Sequence, residues 1–422
     1  MSRIATAKGF ADLFPPESLA FTRMEAAGRR VFTRYGYQEA RIPVLEHTEL
    51  FQRSIGAETD VVQKEMYTFE DRGGRSVTLR PEATAGIMRA YLDNARNRQE
   101  AVTRLFTFGP MFRYERPQKG RLRQFHQIDC ECLNAAEPCV DAEMAVMVMR
   151  FMRELGIEDL EMQINSLGCA RCRPAYRTLL RGWLEGLDRD KLCEDCRRRL
   201  DANPLRVLDC KMPDCRALTS GAPLAADHIC PDCRTHFDTV QRLVAAAGVG
   251  FTLNPRLVRG LDYYTRTTFE VVSQAIGSQG SVAGGGRYDG LAAEIGGPDV
   301  PAIGFACGME RLAMLLPEQD SPRPDFHAAV LAASFADGLD TAFALCQALR
   351  DAGFRGEMEH APRSMKAAMR QADKSKARCA LIFGPDELAA GSVAIKRMDN
   401  GEQTTAPLGD AVSVVAGIAV TP

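Results

Sequence analysis

The sequence lacks a long apolar run, and neither sign of charge is in large excess. No uncharged apolar stretch approaches the roughly 18 residues of a membrane-spanning helix, so we expect no membrane association. The first residues, MSRIATAKGFADLF, lack the apolar core of a secretory signal, which favours a cytoplasmic protein. The chain has 53 Lys and Arg against 55 Asp and Glu, a net charge of −2. This balance excludes a generally basic nucleic-acid coat, although a local basic patch remains compatible with it.

Cysteine is also too scarce for a disulfide scaffold, with 14 among 422 residues. A chain of this length is expected to form two or three domains. It can bury a core large enough to fold without disulfides or metal. Hydrophobic residues make up 45% and charged residues 26% of the chain, which is typical of soluble globular proteins.

A proline-rich segment, PEQDSPRPD at residues 317–325, predicts a domain boundary, because proline interrupts helices and strands. After it, predicted strands alternate with helical patterns, which indicates an α/β domain of about 100 residues. Before it, residues 167–250 contain eight of the fourteen cysteines and the single tryptophan. We interpret this segment as an inserted lobe. The chain therefore divides into residues 1–166 and 251–318, which flank the insert, and a separate unit at 327–422.

Two strand-like segments, TRLFTFGPMFR (103–113) and RQFHQIDCECL (123–133), are joined by the polar loop YERPQKGRL. They predict a hairpin, and hence an antiparallel sheet with helices on one side. Alternate residues share a face of a strand, so one face carries Phe125, Gln127, Asp129 and Glu131. Arginines around the loop suit phosphate oxygens, and an aromatic ring among them could stack on a base. An exposed charged hairpin with Phe125 in the core explains the pattern equally well.

Three further segments place polar groups in apolar surroundings. In LVRGLDYYTRTTFEV (257–271), Arg259 precedes a predicted turn and two tyrosines, which could line a pocket for a small polar ligand or belong to a plain turn and strand. A glycine cluster, GGGRYDG (284–290), is followed by an apolar helix predicted over about 303–316. Arg311 in that helix would need an anion or an acidic partner. Glu82, in LRPEATA, could bind an ammonium group or lie at a helix N-terminus.

The cysteines of the insert form four closely spaced pairs, namely Cys169 and Cys172, Cys193 and Cys196, Cys210 and Cys215, and Cys230 and Cys233. The first two pairs are twenty residues apart, close to a zinc-ribbon spacing. Four thiolates suit one tetrahedral structural zinc ion. Eight ligands allow two sites, or one site with spare thiols, and His228 and His236 are possible substitutes. Reduced free thiols and a redox switch are the alternatives.

The segment RSMKAAMRQADKSKAR (363–378) has six basic residues and one acidic residue, a local charge of +5. Such a surface attracts polyanions through phosphate contacts. A solvated helix face is the usual explanation for a run of charge, and the segment alone does not separate the two.

Taken in order along the chain, these segments resemble the histidyl-tRNA synthetases, which are class II aminoacyl-tRNA synthetases. YGYQEARIPVLEHTELF (35–51) resembles motif 1, with Pro43 at the family's dimer interface, and MFRYERPQKGRLRQFHQIDCE (111–131) resembles motif 2. LVRGLDYYTRTTFEV and GGGRYDGL are similar to stretches of the histidine-specific members, and GFACGMERL is similar to motif 3. The resemblance implies an α+β fold. An antiparallel class II sheet core flanked by helices (1–166 and 251–318) would carry the cysteine-rich insert (167–250) and a C-terminal α/β anticodon-binding domain (327–422).

The resemblance implies ATP-dependent attachment of L-histidine to histidine tRNA through a histidyl-adenylate, by a cytoplasmic homodimer that uses Mg²⁺ with ATP. The implied catalytic residues are Arg259 and Arg113. Those implied to bind ATP are Arg113, Glu115, Arg121, Phe125 and Arg311. Those implied to bind histidine are Glu82, Ala83, Thr84, Gln127, Glu131, Tyr263, Tyr264 and Tyr288. Zinc is inferred from the cysteine spacing alone, since the family's inserted domain is not generally cysteine-rich.

Two other functions fit parts of the sequence. A synthetase-like paralogue that regulates histidine biosynthesis would typically lack the C-terminal domain and the catalytic arginines, whereas Arg113, Arg259 and Arg311 are present here. A zinc-stabilised nucleic-acid-binding scaffold would explain the insert and the basic segment but not the pocket residues. Only the enzyme should catalyse histidine-dependent ATP–pyrophosphate exchange.

Overall fold

The structure is a computed structural model that describes residues 4–56, 59–277, 280–317, 327–332, 335–360 and 364–420. The chain separates into two compact units, Met1–Pro317 and Glu318–Pro422. The proline-rich segment in which we expect the domain boundary lies, apart from Pro317, outside the described residues.

The first unit contains eleven strands in the described ranges. They are β1 (Gln38–Glu39), β2 (Leu45–His47), β3 (Tyr67–Glu70), β4 (Ser76–Leu79), β5 (Thr103–Phe112), β6 (Gln124–Leu133), β7 (Leu160–Ser166), β8 (Thr252–Leu253), β9 (Thr265–Ser273), β10 (Ser281–Arg287) and β11 (Ala302–Gly308). Eight of them form one sheet in the order β1-β5-β6-β11-β10-β9-β7-β8, and the other three form a small sheet in the order β2-β4-β3. The large sheet is antiparallel except for the parallel pairs β1–β5 and β7–β8. It is therefore the predicted antiparallel core, with a parallel strand at each edge.

The α-helices of the first unit are α1 (Glu17–Arg34), α2 (Thr48–Ile55), α3 (Thr84–Asp93), α4 (Arg96–Gln99), α5 (Pro138–Glu154), α6 (Arg173–Glu185), α7 (Glu194–Ala202), α8 (Leu205–Leu208), α9 (Pro213–Leu218), α10 (Pro231–Ala246), α11 (Leu291–Glu294) and α12 (Met309–Ala313). Helices α1, α5 and α10 cover one face of the large sheet. Their apolar side chains share a core with alternate residues of the strands, such as Ile128 and Cys130 of β6 and Phe305 of β11. These helices do not cover the opposite face of the central strands.

The predicted hairpin is confirmed as β5 and β6, which pair in antiparallel register with Gln127 opposite Gly109. The predicted helix over 303–316 is wrong in its first half. Residues 302–308 form strand β11, which pairs with both β6 and β10, and the helix α12 covers only Met309–Ala313. A short apolar run cannot be assigned from its hydrophobic pattern alone, because a strand buried on both faces looks like a buried helix.

The insert leaves the sheet after β7 and returns to it at β8, its parallel neighbour. It contains the short helices α6 to α9, and α10 leads back to the sheet. The apolar residues of the insert share a core with the tyrosines that follow β8, including Leu200, Val207, Tyr263 and Tyr264. Apart from α10, the insert is thus packed onto the face of the sheet that the long helices leave open.

The second unit is an α/β sheet of five strands in the order β13-β12-β14-β15-β16. Its strands are β12 (His327–Ala332), β13 (Arg355–Met358), β14 (Cys379–Phe383), β15 (Ser392–Arg397) and β16 (Gln403–Pro407), and its α-helices are α13 (Phe335–Asp351), α14 (Met365–Lys374), α15 (Pro385–Ala389) and α16 (Ala411–Val420). The strands β12, β13 and β14 run parallel, and β15 and β16 continue antiparallel. The α/β expectation for this part of the chain is confirmed.

Candidate active site

A cavity lies on the face of the large sheet that the long helices leave open. Strands β6, β10 and β11 form its floor, and its empty volume, open solvent included, is about 1120 Å³. Two glycines of the floor leave room for the side chains of Arg259 and Glu131. A Cβ atom at Gly284 would overlap the guanidinium of Arg259, and a Cβ atom at Gly304 would overlap the carboxylate of Glu131.

Most of the residues predicted for the site line this one cavity, although they are spread over more than two hundred positions of sequence. Lining it are Glu82, Thr84, Arg113, Glu115, Arg121, Phe125, Gln127, Arg259, Tyr263, Tyr264, Tyr288 and Arg311. Two predicted residues do not reach its surface. Ala83 is fully buried at the N-terminus of α3, and Glu131 lies behind Thr84 and Tyr288.

Arginines line the part of the cavity near the β5–β6 loop. The Nε atom of Arg113 donates to the carbonyl of Pro81 over 2.9 Å, and its guanidinium carbon lies 5.2 Å from the centre of the Phe125 ring. Arg121 forms an ion pair of 2.9 Å with Glu115. Guanidinium groups concentrated in one cleft make a strong site for the oxygens of a polyphosphate.

Arg311 adds a further guanidinium to this part of the cavity. Its Nη1 donates to the carbonyl of Ser281 over 2.7 Å. Burial, and then the neighbouring charge of Arg121, lower the pKa of Arg311. Both effects mean that an anion bound beside Arg311 would be favoured. The adjacent Glu310 accepts from the backbone N–H of His126 over 3.0 Å.

Arg259 projects from the loop before β9 across the floor of the cavity. Its Nη1 donates to Oε1 of Glu270 over 2.7 Å, and the hydroxyl of Ser281 donates to the same oxygen over 2.6 Å. Burial by itself would lower the pKa of Arg259, but the neighbouring groups, Glu270 foremost and then Tyr264 and Asp209, together outweigh it and the pKa is raised. Arg259 therefore stays protonated and positively charged. Sequence reasoning missed Glu270 and Ser281, since nothing local in β9 or β10 marks them as its partners.

Carboxylates and tyrosines line the opposite part of the cavity. Glu82 accepts from the backbone N–H groups of Thr84 and Ala85 over 2.9 and 2.8 Å. It is therefore a charge at the N-terminus of α3 and, at the same time, a lining residue. Its burial raises its pKa, so a cationic ligand would be needed to stabilise its charge fully.

Glu131 is held behind the lining by two hydroxyl groups. That of Thr84 donates to Oε1 over 2.6 Å, and that of Tyr288 donates to Oε2. Burial raises the pKa of Glu131 to about 8.

An aromatic wall stands beside these carboxylates. The rings of Tyr263 and Tyr264 lie 4.7 Å apart, and those of Tyr263 and Tyr288 lie 5.5 Å apart. The hydroxyl of Tyr263 is 3.5 Å from Glu82. A pocket of rings and hydroxyls with a carboxylate behind it suits a flat, polar, partly cationic group.

Asp129 also lines the cavity, although we did not predict it. It is 1% exposed. Among the described residues, neither of its carboxylate oxygens has a hydrogen-bond partner, and the same holds for Oε1 of Gln127. Burial, and then the charges of Glu131 and Glu82, raise its pKa well above the usual range. The sequence could have identified Asp129, because it lies on the same strand face as Phe125. Its unpartnered oxygens indicate a ligand that donates hydrogen bonds.

The eight cysteines of the insert come together as two groups of four. One consists of Cys169, Cys172, Cys230 and Cys233, and the other of Cys193, Cys196, Cys210 and Cys215. The zinc-ribbon pairing of the first two pairs is therefore wrong, because the first pair meets the last. Neither histidine substitutes for a cysteine. His236 bonds to Asp141 over 2.7 Å, and His228 stacks on Tyr176.

The basic segment of the second unit forms the helix α14, with Arg363 outside the described residues. Lys366, Arg370 and Lys374 are exposed at intervals of four, and Ala368 and Ala372 are buried on the opposite side. The helix thus presents a basic stripe. In the described part of the chain, no helix is long and apolar enough to span a membrane.

Comparison with known proteins gives consistent matches along the chain. Residues 9–312 match the family described as histidyl-tRNA synthetase, and residues 327–418 match the anticodon binding domain. The histidine–tRNA ligase of Nitratidesulfovibrio vulgaris is 62% identical over 405 residues, 96% of each chain. That of Oleidesulfovibrio alaskensis is 59% identical over 419 residues, covering 99% of this chain and 100% of the relative. The crystal structure of the apo histidyl-tRNA synthetase of S. aureus is similar with a TM-score of 0.81 and 32% identity, over 98% of this chain and 100% of the other.

Proposed function

The chain belongs to the histidyl-tRNA synthetase family, and from that premise we propose that the cavity on the open face of the sheet is where it activates histidine with ATP. The chain attaches histidine to its tRNA. The single observation that carries the assignment to this cavity is that two parts of it are lined by different kinds of side chain. One part is lined by arginines and the other by carboxylates and tyrosines. Arg259 contacts both, because its guanidinium carbon lies 5.9 Å from the centre of the Tyr264 ring and it shares Glu270 with Ser281, whose carbonyl accepts from Arg311. ATP and histidine are complementary to these two parts.

ATP is proposed to bind in the arginine-lined part. Arg113 would contact the α-phosphate, and Arg121 and Arg311 the outer phosphates. Phe125 would stack on the adenine, and Glu115 would accept from its amino group. The support is the position of these side chains around the β5–β6 loop, with the ring of Phe125 already packed against a guanidinium at 5.2 Å.

Histidine is proposed to bind in the carboxylate-lined part. Glu82, Thr84 and Gln127 would hold its ammonium group, and Asp129 would join them, since its oxygens have no partner among the described residues. Glu131 and Tyr264 would bond the imidazole, while Tyr263 and Tyr288 complete the pocket and Ala83 packs behind it. A site built from such donors and acceptors rejects apolar amino acids strongly, by about 10⁴-fold or more, because its polar groups would be left unpaired.

The chemistry proceeds by positioning and charge stabilisation. An oxygen of the histidine carboxylate attacks the α-phosphorus, the bond from that phosphorus to the bridging oxygen breaks, and pyrophosphate leaves with the electron pair. Arg113 and Arg259 would stabilise the charge that develops on the α-phosphate oxygens. The terminal ribose hydroxyl of the tRNA then attacks the carbonyl carbon of the adenylate, and the bond from that carbon to the phosphate oxygen breaks. AMP leaves with the electron pair, and a phosphate oxygen would take the hydroxyl proton.

Mg²⁺ is proposed to enter with ATP. Glu310 lines the cavity beside the arginines. Carboxylates together with substrate phosphates are the ligands that Mg²⁺ ordinarily uses. When bound, the ion neutralises charge on the outer phosphates. The cysteine-rich insert is proposed to hold structural zinc through its thiolates.

The partner tRNA is proposed to reach both units. The second unit matches an anticodon-binding domain, and the basic stripe of α14 would contact the tRNA backbone. A cytoplasmic homodimer is proposed to be the working form. The small sheet near Pro43 supports this, because it leaves Leu45 42% exposed and Phe69 49% exposed, more than is usual for large apolar side chains.

Histidine-dependent ATP–pyrophosphate exchange tests the proposal. The purified full-length chain should catalyse exchange with histidine and not with other amino acids, and should transfer histidine to tRNA. Absence of exchange, with a folded protein and MgATP present, would contradict the assignment. A regulatory paralogue or a scaffold protein would give that negative result.

A further inference from the structure

We propose that the insert binds two zinc ions, one in each group of four cysteines, and that the second group positions the loop carrying Arg259. We name the groups by their place in the chain. The outer group is Cys169, Cys172, Cys230 and Cys233, and the inner group is Cys193, Cys196, Cys210 and Cys215. The part that concerns Arg259 rests on the proposed function, whereas the metal content does not.

The distances between sulfur atoms fit one ion per group. Cys169 lies 3.7 Å from Cys172 and 3.9 Å from Cys230, and Cys193 lies 3.8 Å from Cys210. A tetrahedron with zinc–sulfur bonds of about 2.3 Å has edges of about 3.8 Å. A disulfide would need about 2.05 Å between sulfurs. The arrangement therefore favours a tetrathiolate ion over a redox pair.

Backbone groups are also arranged as they are around metal-bound thiolates. The N–H of Cys169 donates to the sulfur of Cys172, and the N–H of Cys193 donates to the sulfur of Cys215, each over 3.2 Å. Such bonds stabilise negative charge on sulfur. Four thiolates without a cation would repel one another strongly at these distances, so the charged form of each cluster requires an ion. Zinc is the redox-inert metal that fills closed four-sulfur sites in structural roles.

In the sequence, the inner group lies between the two halves of the outer group. The two groups therefore hold together different parts of the insert. The outer group joins the point where the chain leaves β7 to the start of α10, so it closes the base of the insert. The inner group joins the start of α7 to α9 and the turn before it. The helices α7, α8 and α9 are only nine, four and six residues long. A metal is the usual means of stabilising so small a unit.

The inner unit touches the loop that carries Arg259. Arg206 of α8 donates to the carbonyl oxygen of Arg259 over 3.2 Å. Asn203, at the end of α7, donates to the carboxylate of Asp262 over 2.5 Å. The apolar residues of α7 and α8 share a core with Tyr263 and Tyr264. Loss of the inner ion would loosen these helices, and Arg259 would lose its backbone support.

Metal content tests the first part. The full-length chain, purified without chelator, should contain two zinc ions, and zinc-edge X-ray absorption should show four sulfurs around each. The pair Cys193→Ser/Cys196→Ser and the pair Cys169→Ser/Cys172→Ser should each remove one ion, while Cys139→Ser, at an exposed cysteine outside both groups, should remove none. One ion or none, iron in place of zinc, nitrogen or oxygen ligands, or disulfides would overturn the proposal. The wild-type measurements decide this even where a cysteine variant fails to fold.

Kinetics test the second part. Arg206→Ala should lower kcat for histidine-dependent exchange on the order of tenfold, since misplacement of a catalytic group by about 1 Å can cost about 100-fold. KM for ATP should change little, and Arg206→Lys should recover part of the loss. Arg181→Ala is the matched control, because Arg181 lies in the same insert and, among the described residues, its side chain bonds only to the carbonyl of Asp201.

A combination of variants separates positioning from general destabilisation. If the inner ion acts through Arg206, adding Arg206→Ala to Cys193→Ser/Cys196→Ser should cost nothing further in kcat. Additive losses, an equal loss in Arg181→Ala, or an unchanged kcat in Arg206→Ala would overturn the positioning role. A wild-type chain that binds two zinc ions but shows no exchange would count against the proposed function and leave the metal sites standing.

Discussion

A methyl group at position 284 should disable the enzyme without unfolding it. Gly284 lies in β10 on the floor of the cavity, and the Cβ atom of Gly284→Ala would overlap the guanidinium of Arg259. The obstructing atoms belong to the far end of a flexible side chain. Arg259 can therefore move aside, and the strand can keep its register with β9 and β11.

The size of the effect follows from that displacement. To move from 2.1 Å to the 3.4 Å at which ordinary van der Waals contact begins, the guanidinium must shift by about 1.3 Å or more. A shift of about 1 Å can already reduce the rate on the order of 100-fold when it misplaces a catalytic group. The bond of 2.7 Å to Glu270 would also be broken or distorted. Because Arg113 and Arg311 are untouched, KM for ATP should change much less than kcat.

The assay is histidine-dependent ATP–pyrophosphate exchange, measured beside a thermal unfolding curve. Gly250→Ala is the matched control, because a Cβ atom there meets nothing within 4 Å. We expect Gly284→Ala to melt near the wild-type temperature and to lose most of its kcat, and Arg259→Ala to lose at least as much. Near-normal exchange in both variants would refute the role assigned to Arg259.

Three further variants test the two parts of the cavity. Asp129→Asn should raise KM for histidine roughly tenfold or more, as expected for loss of a charge-assisted hydrogen bond to the ammonium, and an unchanged KM would remove Asp129 from the site. Phe125→Ala should raise KM for ATP by about tenfold, from the loss of base stacking, with KM for histidine as the internal control; equal changes in both would argue against stacking. Between pH 4.5 and about 8, Glu131 holds a proton in the folded chain that the unfolded chain has released, so the free energy of unfolding falls as pH rises across that window. Glu131→Gln cannot titrate and should flatten this dependence in thermal melts without ligand, whereas an unaltered slope would contradict the raised pKa.

Patterns within single elements were enough to predict much of this protein. Alternation along β6 separated Phe125, Gln127 and Glu131 from the residues that pack against the helices, and the structure has the same division. The hairpin, the α/β character of the second unit and the family were all predicted from segments of ten to twenty residues. Such segments succeed because side-chain direction in a strand depends only on local backbone geometry.

Other expectations failed where the sequence pattern is ambiguous. Residues 302–308 form a strand because β6 and β10 bond to it on both sides, and neither neighbour is close in sequence. Glu82 proved to be both a helix-terminal charge and a lining residue, so the two interpretations that the sequence offered were not exclusive.

Composition and local spacing by themselves determined which residue types this chain could use, namely thiolates in pairs, arginines around a loop, and carboxylates and tyrosines near glycine. Only the tertiary structure decided which of them meet. The fold places Cys169 beside Cys230 rather than beside Cys193. It also places Glu270 beside Arg259, and Asp129 faces the cavity with no partner among the described residues. The physical reason is that a contact across tens or hundreds of residues depends on how strands are ordered in a sheet, and that order is set by the packing of the whole unit.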